Sequence, residues 1–408
     1  MFLKKLVQAA GCCACLMLAG CWDRVEIDQR GFVVGIAIDE SEERNTRYLG
    51  TYQFVVPGGL KMSSPSGSSS YDTQAYMNLG TTESSMSALS AKMASETSRS
   101  PYFEHLKLII VSDSLARKPE EFSSIMDYFL RNSEMRRGIK VLIADGSALS
   151  VLSTKPKSER IPASYIESIV NNNRKTTYML PETAIGQIHE YLMRKESYVV
   201  QRIANTQKQG VSVSGCAIFD GNSNRMVGQL NGQETQGLNM IKGQIKGGVL
   251  EAAEGVNRVD FLIERGKRTI RYEKSGNRFI FHINIQLEGV LDKSPNSINF
   301  MKKPTIVETE EILERKMQAI CYETIHKLQQ TYRKDVLGLG MYLYENHYKV
   351  WKPIAANWDN GENLFSQADI QVHTNVILRR IGNINKSHSH ENKMDEANKN
   401  KTNNDDGE

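Results

Sequence analysis

From residue 279 onward apolar and polar side chains alternate, with Phe279, Phe281, Ile283, Ile285 and Leu287 at every second position. A period of two puts all five on one face of a strand, so this stretch demands an antiparallel sheet with one face covered. Two shorter strand-like runs, 259–264 and 267–272, precede it. The cover follows in the chain: Leu313, Met317, Ile320, Leu328 and Tyr332 recur at helical spacing within 305–332. Glu308, Glu310 and Glu311 stand near the start of that helix, where the backbone dipole favours negative charge. A final strand at 373–381 returns to the sheet.

The front of the chain has a different rhythm. Residues 31–39 form an apolar run whose glycines suggest close backbone approach, and 48–56 supplies the second strand of a hairpin. Residues 58–70 are Gly, Ser and Pro punctuated by Lys61 and Met62, the composition of a mobile surface loop. A helix is expected over 82–98, with Thr82 as N-cap and Met86, Leu89 and Met93 inward. A strand at 106–111, a helix with Phe122, Ile125, Met126, Phe129 and Leu130 on one stripe, and a strand at 139–144 then make an α/β layer. Further helices follow at 162–170 and after Pro181, the latter placing His189 beside its apolar face as a packing or surface residue. Residues 211–219 and 225–230 make a hairpin around Asp220-Gly221-Asn222-Ser223-Asn224. Residues 231–237 read as a turn capping a short helix, and Gly243, Gly247 and Gly248 as a loop.

The fold class is therefore α+β, mixed with α/β: three unlike domains with mixed and antiparallel sheets covered by helices. The expected boundaries are an N-terminal α/β domain at 21–205, a small hairpin-containing middle domain at 206–255, and a C-terminal α+β domain at 256–382 with its long helix at 305–333. From 383 to 408 the chain is almost wholly polar and is expected to be disordered.

Residues 1–20 stand apart. Lys4 and Lys5 precede an uncharged stretch that ends Leu18-Ala19-Gly20-Cys21. That is the layout of an export signal, and its uncharged stretch of 15 residues, Leu6 to Gly20, falls short of the ~20 needed to cross a bilayer as a helix. The ending resembles the lipobox of bacterial lipoproteins. The resemblance implies cleavage between Gly20 and Cys21, an S-diacylglycerol group and an N-terminal modification on Cys21, and a membrane-attached body. Two acyl chains, at ~0.8 kcal/mol per buried methylene, anchor far more firmly than one. Removing residues 1–20 from the 408 leaves 388, with 49 basic against 47 acidic side chains, a balance that gives no reason to expect a nucleic-acid partner. Cys216 and Cys321 then remain beside Cys21; two thiols are no disulfide framework and are expected buried and unpaired.

Catalytic signatures are missing. No Gly-x-Ser-x-Gly, His-Glu-x-x-His, paired Cys-x-x-Cys or P-loop occurs, and Gly338-Leu339-Gly340 lacks the third glycine and preceding strand of a dinucleotide loop, so that pair reads as a helix terminus. His388 and His390 lie in the polar tail. Glu182 and Glu234 have no evident partner in the sequence. No metal and no cofactor beyond the lipid on Cys21 is expected.

An ordered set of short motifs remains: Cys21-Trp22-Asp23, Glu26-Ile27 and Gly35-Ile36-Ala37-Ile38-Asp39 at the front; His105-Leu106-Lys107, residues 131–136, Pro162-Ala163-Ser164-Tyr165, Ala217-Ile218-Phe219 and residues 228–237 in the middle; Asp335-Val336-Leu337-Gly338-Leu339-Gly340, Trp351, Trp358 and Phe365 towards the end. Together they resemble the Ger(x)C lipoproteins, the C subunits of nutrient germinant receptors in endospore formers. Gln233 and Gln236 depart from the acidic and basic residues of that pattern. The resemblance implies a non-enzymatic lipoprotein on the outer surface of the inner spore membrane, required for germination and partnered by the integral membrane A and B subunits, with no direct small-molecule ligand of its own. It singles out Trp22, Asp23, Glu234, Gly237, Asp335, Gly338 and Gly340 as partner-contact or structural positions. A lipid-tethered solute-binding protein is the alternative reading, and a cell-wall enzyme the third.

Overall fold

The computed structural model describes residues 29–60, 74–207, 210–254, 257–276, 278–293 and 303–381. Gly20, Cys21, Trp22 and Asp23, most of the 58–70 loop and the 383–408 tail lie outside the described residues.

The first body is built on a mixed sheet whose centre is parallel. Strands β1 (Arg30–Glu40), β2 (Tyr48–Val55), β3 (Tyr76–Glu83), β4 (Ser100–Tyr102), β5 (Leu108–Ser112), β6 (Lys140–Ala144), β7 (Tyr198–Asn205), β8 (Val211–Phe219) and β9 (Met226–Leu230) run in the order β3-β2-β1-β5-β6-β7-β8-β9, with β4 beside the start of β1. The pairs β1–β5, β5–β6 and β6–β7 are parallel, and the flanking pairs are antiparallel. A sheet centre with both faces covered needs strands that are apolar throughout, and β5 is buried at all five positions. Alternate side chains feed two cores. Ile36, Ile38, Ile109, Val111, Val141 and Ile143 meet α1 (Met86–Glu96), α3 (Glu121–Arg131), which follows the short α2 (Asp113–Ala116), and α6 (Ile185–Arg194). Ala37, Leu108, Ile110 and Leu142 meet α4 (Ala148–Leu152) and α5 (Pro162–Val170).

The second body is a four-stranded sheet of β10 (Gly248–Glu254), β11 (Asn257–Ser275), β12 (Arg278–Lys293) and β13 (Asp369–Ile381) in that order. The expected antiparallel sheet is corrected to a mixed one: β10–β11 and β11–β12 are antiparallel, but β13 returns through the long helix as a crossover and pairs parallel with β12. Phe279, Phe281, Ile283, Ile285 and Leu287 of β12 all face inward, as their alternation requires. The cover includes α7 (Gly232–Lys242) and α8 (Lys303–His326), with α9 (Leu339–Asn346) after it and then α10 (Tyr348–Ile354). A π-helical stretch, Lys327–Tyr332, prolongs α8 to the length expected. Leu313, Met317, Ile320 and Leu328 are buried on its inner stripe.

Several local expectations are corrected. Thr82 belongs to β3, and α1 is capped by Ser85, whose Oγ accepts the Ala88 N–H at 3.1 Å. The runs 259–264 and 267–272 are one strand, β11, because its register shifts between Ile263 and Arg265, a bulge that the sequence presents as a break. The presumed glycine loop contributes β10, which begins at Gly248. No separate body spans 206–255. The 211–230 hairpin pairs with β7 (Val199↔Ile218) and continues the first sheet, while α7 and β10 pack with the second. One core crosses the junction, running from Val199, Cys216, Ile218 and Leu230 through Leu238 and Ile241 to Phe261 and Phe281.

Candidate functional site

Where the two bodies meet, Asp335, Val336, Leu337, Gly338 and Gly340 line a cleft of about 840 Å³. Arg333, at φ +55°, ends the π-helical stretch and turns the chain out of it. The next residue, Lys334, reaches back across the junction. Its Nζ donates to Asp220 Oδ1 at 2.7 Å, Asp359 O at 3.0 Å and Asn360 Oδ1 at 2.9 Å, tying the β8–β9 turn to the loop before β13. Burial pushes the Asp220 carboxyl up, but hydrogen bonds from Lys334 and Ser223 outweigh it and hold the group below its ordinary value. Asp359 adds a second tie: its Oδ2 accepts from Ser197 Oγ at 2.6 Å, just ahead of β7.

Asp335 organises the loop itself. Its Oδ1 accepts the N–H groups of Gly338 (3.0 Å) and Leu339 (3.2 Å), and its Oδ2 accepts that of Gly340 and the indole N–H of Trp358, both at 2.6 Å. The carboxylate thus satisfies three amides at the start of α9, where the helix dipole also favours it. Burial pushes the Asp335 carboxyl up, against the pull of those donors. Gly338 is the N-cap at φ +82°, the left-handed conformation that glycine adopts freely. Gly340 is needed for a different reason: a Cβ there would lie 2.7 Å from the Trp358 ring. Trp358 is 3% exposed and packs edge-on against Trp351, Phe279 and Phe281.

Glu234 and Gly237 fall in another contact, the crossing of α7 on α8. Asn231 and Glu234 form the capping box of α7, and both Glu234 oxygens accept from Lys327 Nζ, at 2.6 and 2.8 Å. Glu234 therefore has the partner its sequence did not reveal, as does Glu182, 3.3 Å from Lys140. At Gly237 a Cβ would lie 2.3 Å from Thr324 Oγ1 and 2.8 Å from the Ile320 carbonyl oxygen, so the helices cross where only glycine fits. Gln236 donates to Thr177 Oγ1 at 2.7 Å instead of joining an ion pair.

Sequence reasoning thus found the loop and its tryptophans but missed what faces them. Glu196 and Ser197 from the first body, with Lys242 and Arg268 from the second, line the same cleft. Only the adjacency of Lys334 to the Asp335 motif hinted at the junction. Cys216 and Cys321 are buried free thiols, each pushed up to about 12 by burial, values that leave them inert as nucleophiles. Among the described residues, no cluster of three or more His, Cys, Asp or Glu is placed to hold a metal ion, and no helix is long and apolar enough to cross a membrane.

Comparison with known proteins covers nearly the whole of this architecture. Residues 23–204 match the family described as spore germination protein N-terminal domain, and residues 214–382 the one described as spore germination B3/GerAC like, C-terminal. The chain is 28% identical over 392 residues to spore germination protein YndF of Bacillus subtilis (strain 168), spanning 91% of this chain and 96% of that protein. It is likewise 28% identical to spore germination protein B3 of the same organism, over 382 residues, 91% of this chain and 96% of the relative. The crystal structure of the GerBC protein shares the fold, with a TM-score of 0.59 at 24% identity, over 87% of this chain and 100% of that one.

Proposed function

The chain belongs to the spore germination GerAC-like family, and on that footing we propose that it serves spore germination as the C subunit of a nutrient germinant receptor, anchored by lipid on Cys21 at the outer surface of the inner spore membrane. It acts there by contact with two integral membrane subunits, A and B, and not by catalysis. The carrying observation is that both halves of the chain match this family in order, with the relatives YndF and B3 spanning almost all of it. The chemistry of the site supports the same reading. Asp335, Asp359, Lys334 and Glu234 spend their charges on the frame, which leaves them as positioning groups.

The competing reading, a freestanding solute-binding protein, calls for two like lobes closing on a ligand, whereas a parallel-centred mixed sheet and a four-stranded sheet are unlike. The third reading, a cell-wall enzyme, finds no catalytic constellation to build on among the described residues. Cys21→Ala is expected to abolish lipid labelling and membrane retention while leaving the folded body intact. Purification of the tagged chain from spore membranes is expected to bring down two multi-span proteins. A Cys21→Ala chain that is still acylated and membrane-bound would overturn the anchor, and a chain recovered without membrane partners would overturn the receptor assignment.

A further inference from the structure

The cleft between the two bodies holds charged groups that the frame does not use. Lys242, the last residue of α7, donates from Nζ to the Val336 carbonyl at 3.1 Å. Arg268, on β11, donates to the main-chain oxygen of Lys242 at 3.2 Å. Neither cation has a carboxylate within ion-pairing distance among the described residues. Glu196, between α6 and β7, lines the same cleft from the first body and has no hydrogen-bond or ion-pair partner among them either. All three side chains are half-buried. Burial pulls Lys242 and Arg268 below their ordinary values and pushes Glu196 above its own; the Asp335 carboxylate opposes the shift at Lys242 and the Arg194 guanidinium that at Glu196, but neither forms an ion pair with it, so burial prevails.

Lys242 and Glu196 lie close enough to feel each other's charge, yet they do not meet. A half-buried charge left unpaired costs stability, and an interdomain cavity of about 840 Å³ with convergent polar groups is where such a cost is recovered by a ligand. The remaining walls include Tyr191, Tyr342 and Trp351, whose rings offer apolar surface beside the charges. We propose that this cleft binds a small zwitterion, with its carboxylate on Lys242 and Arg268, its ammonium on Glu196, and its apolar body against Tyr191, Tyr342 and Trp351. A cavity walled by both bodies of one chain suits a small molecule better than a folded surface. The proposal replaces the expectation that the chain takes no ligand, and it holds or fails independently of the receptor assignment.

Calorimetric titration of the purified full chain tests it, with L-phenylalanine, 3-phenylpropionate and phenethylamine as probes sharing one ring and differing in their charged ends, and glycine as a zwitterion without a ring. A zwitterion is expected to bind saturably, with 3-phenylpropionate weaker than phenylalanine by about tenfold, the equivalent of one lost charged contact, and phenethylamine weaker still. Glu196→Gln is expected to bring phenylalanine down to the level of phenylpropionate, and Arg268→Gln to weaken every carboxylate probe. Because Lys242→Met also removes the donor to the Val336 carbonyl, Lys242→Arg is the paired variant and should retain binding. NMR shifts of the Trp351 indole and the Gly338 amide report on the unsubstituted protein. Absence of saturable binding by both zwitterions overturns the proposal. So does phenylpropionate binding as tightly as phenylalanine, indifference to Glu196→Gln, or shifts confined to residues outside the cleft.

Discussion

Asp335 shows how one side chain can decide a local structure. Its two oxygens serve four donors, and in Asp335→Asn an amide N–H₂ would face N–H groups that need an acceptor. The expected loss is about 3 kcal/mol, as for breaking a buried charged network, read from urea unfolding. Gly338→Ala, which must hold φ +82° with a Cβ, is expected to cost about 1 kcal/mol, and Gly338→Asn less, since asparagine tolerates that conformation. A Gly338→Ala chain with unchanged melting but altered germination response would move this glycine from the frame to signalling. Asp220 carries a pH signature. Its folded value lies below the ordinary 3.8, so the native state binds fewer protons than the unfolded state as pH falls. The stability difference between the parent chain and Asp220→Asn should be complete above that ordinary value and fade on acidification below it. A difference that grows on acidification would contradict the Lys334–Asp220 tie. These roles were half legible in the sequence: the Gly338 turn could be suspected, but four donors converging on Asp335 could not, because Trp358 lies 23 residues away.

At the scale of elements, the long helix was readable because its apolar spacing runs unbroken, but what it does to β13 was not. Edge strands expose unpaired amides, and here α8 supplies side-chain acceptors for them. Glu310 accepts the Leu378 N–H and Glu314 the Val376 N–H, both at 2.9 Å, while Gln318 Nε2 donates to the Val372 carbonyl at 3.1 Å. Replacing Glu310 and Glu314 together by Ala is expected to speed amide exchange at Val376 and Leu378 and to promote self-association through the bared edge. Unchanged exchange at those two amides would show that the helix only covers the face. Elements that the sequence hid share a cause. β3 and β10 carry weak apolar patterns and exist because β2 and β11 offer them edges, and the break within β11 is a bulge rather than a turn. A strand of that kind is specified by its neighbour more than by its own residues.

The whole molecule is held as one by the core that passes from Val199 and Ile218 through α7 to Phe281, reinforced by Lys334 and Asp359 at the cleft. Both bodies are therefore expected to unfold in a single transition, seen by near-ultraviolet and far-ultraviolet dichroism together. A fragment ending at 205 would strip β8 from β7 and should aggregate, whereas two separate melting steps or a well-behaved fragment would show the bodies to be independent. By its own pattern the sequence determined the α+β class, an early α/β layer of helices on a sheet, the one-faced late sheet and its helical cover, because periodicity is a local property that survives without knowledge of the partner. Its ordered motifs also pointed to the spore germination family. Only the tertiary structure decided that the 211–230 hairpin extends the first sheet, that Glu234 belongs to Lys327, and that Glu196, Lys242 and Arg268 share one cleft. Those outcomes depend on contacts between residues far apart in the chain, and burial and distance, which set the charges in that cleft, exist only once the two bodies have closed on each other.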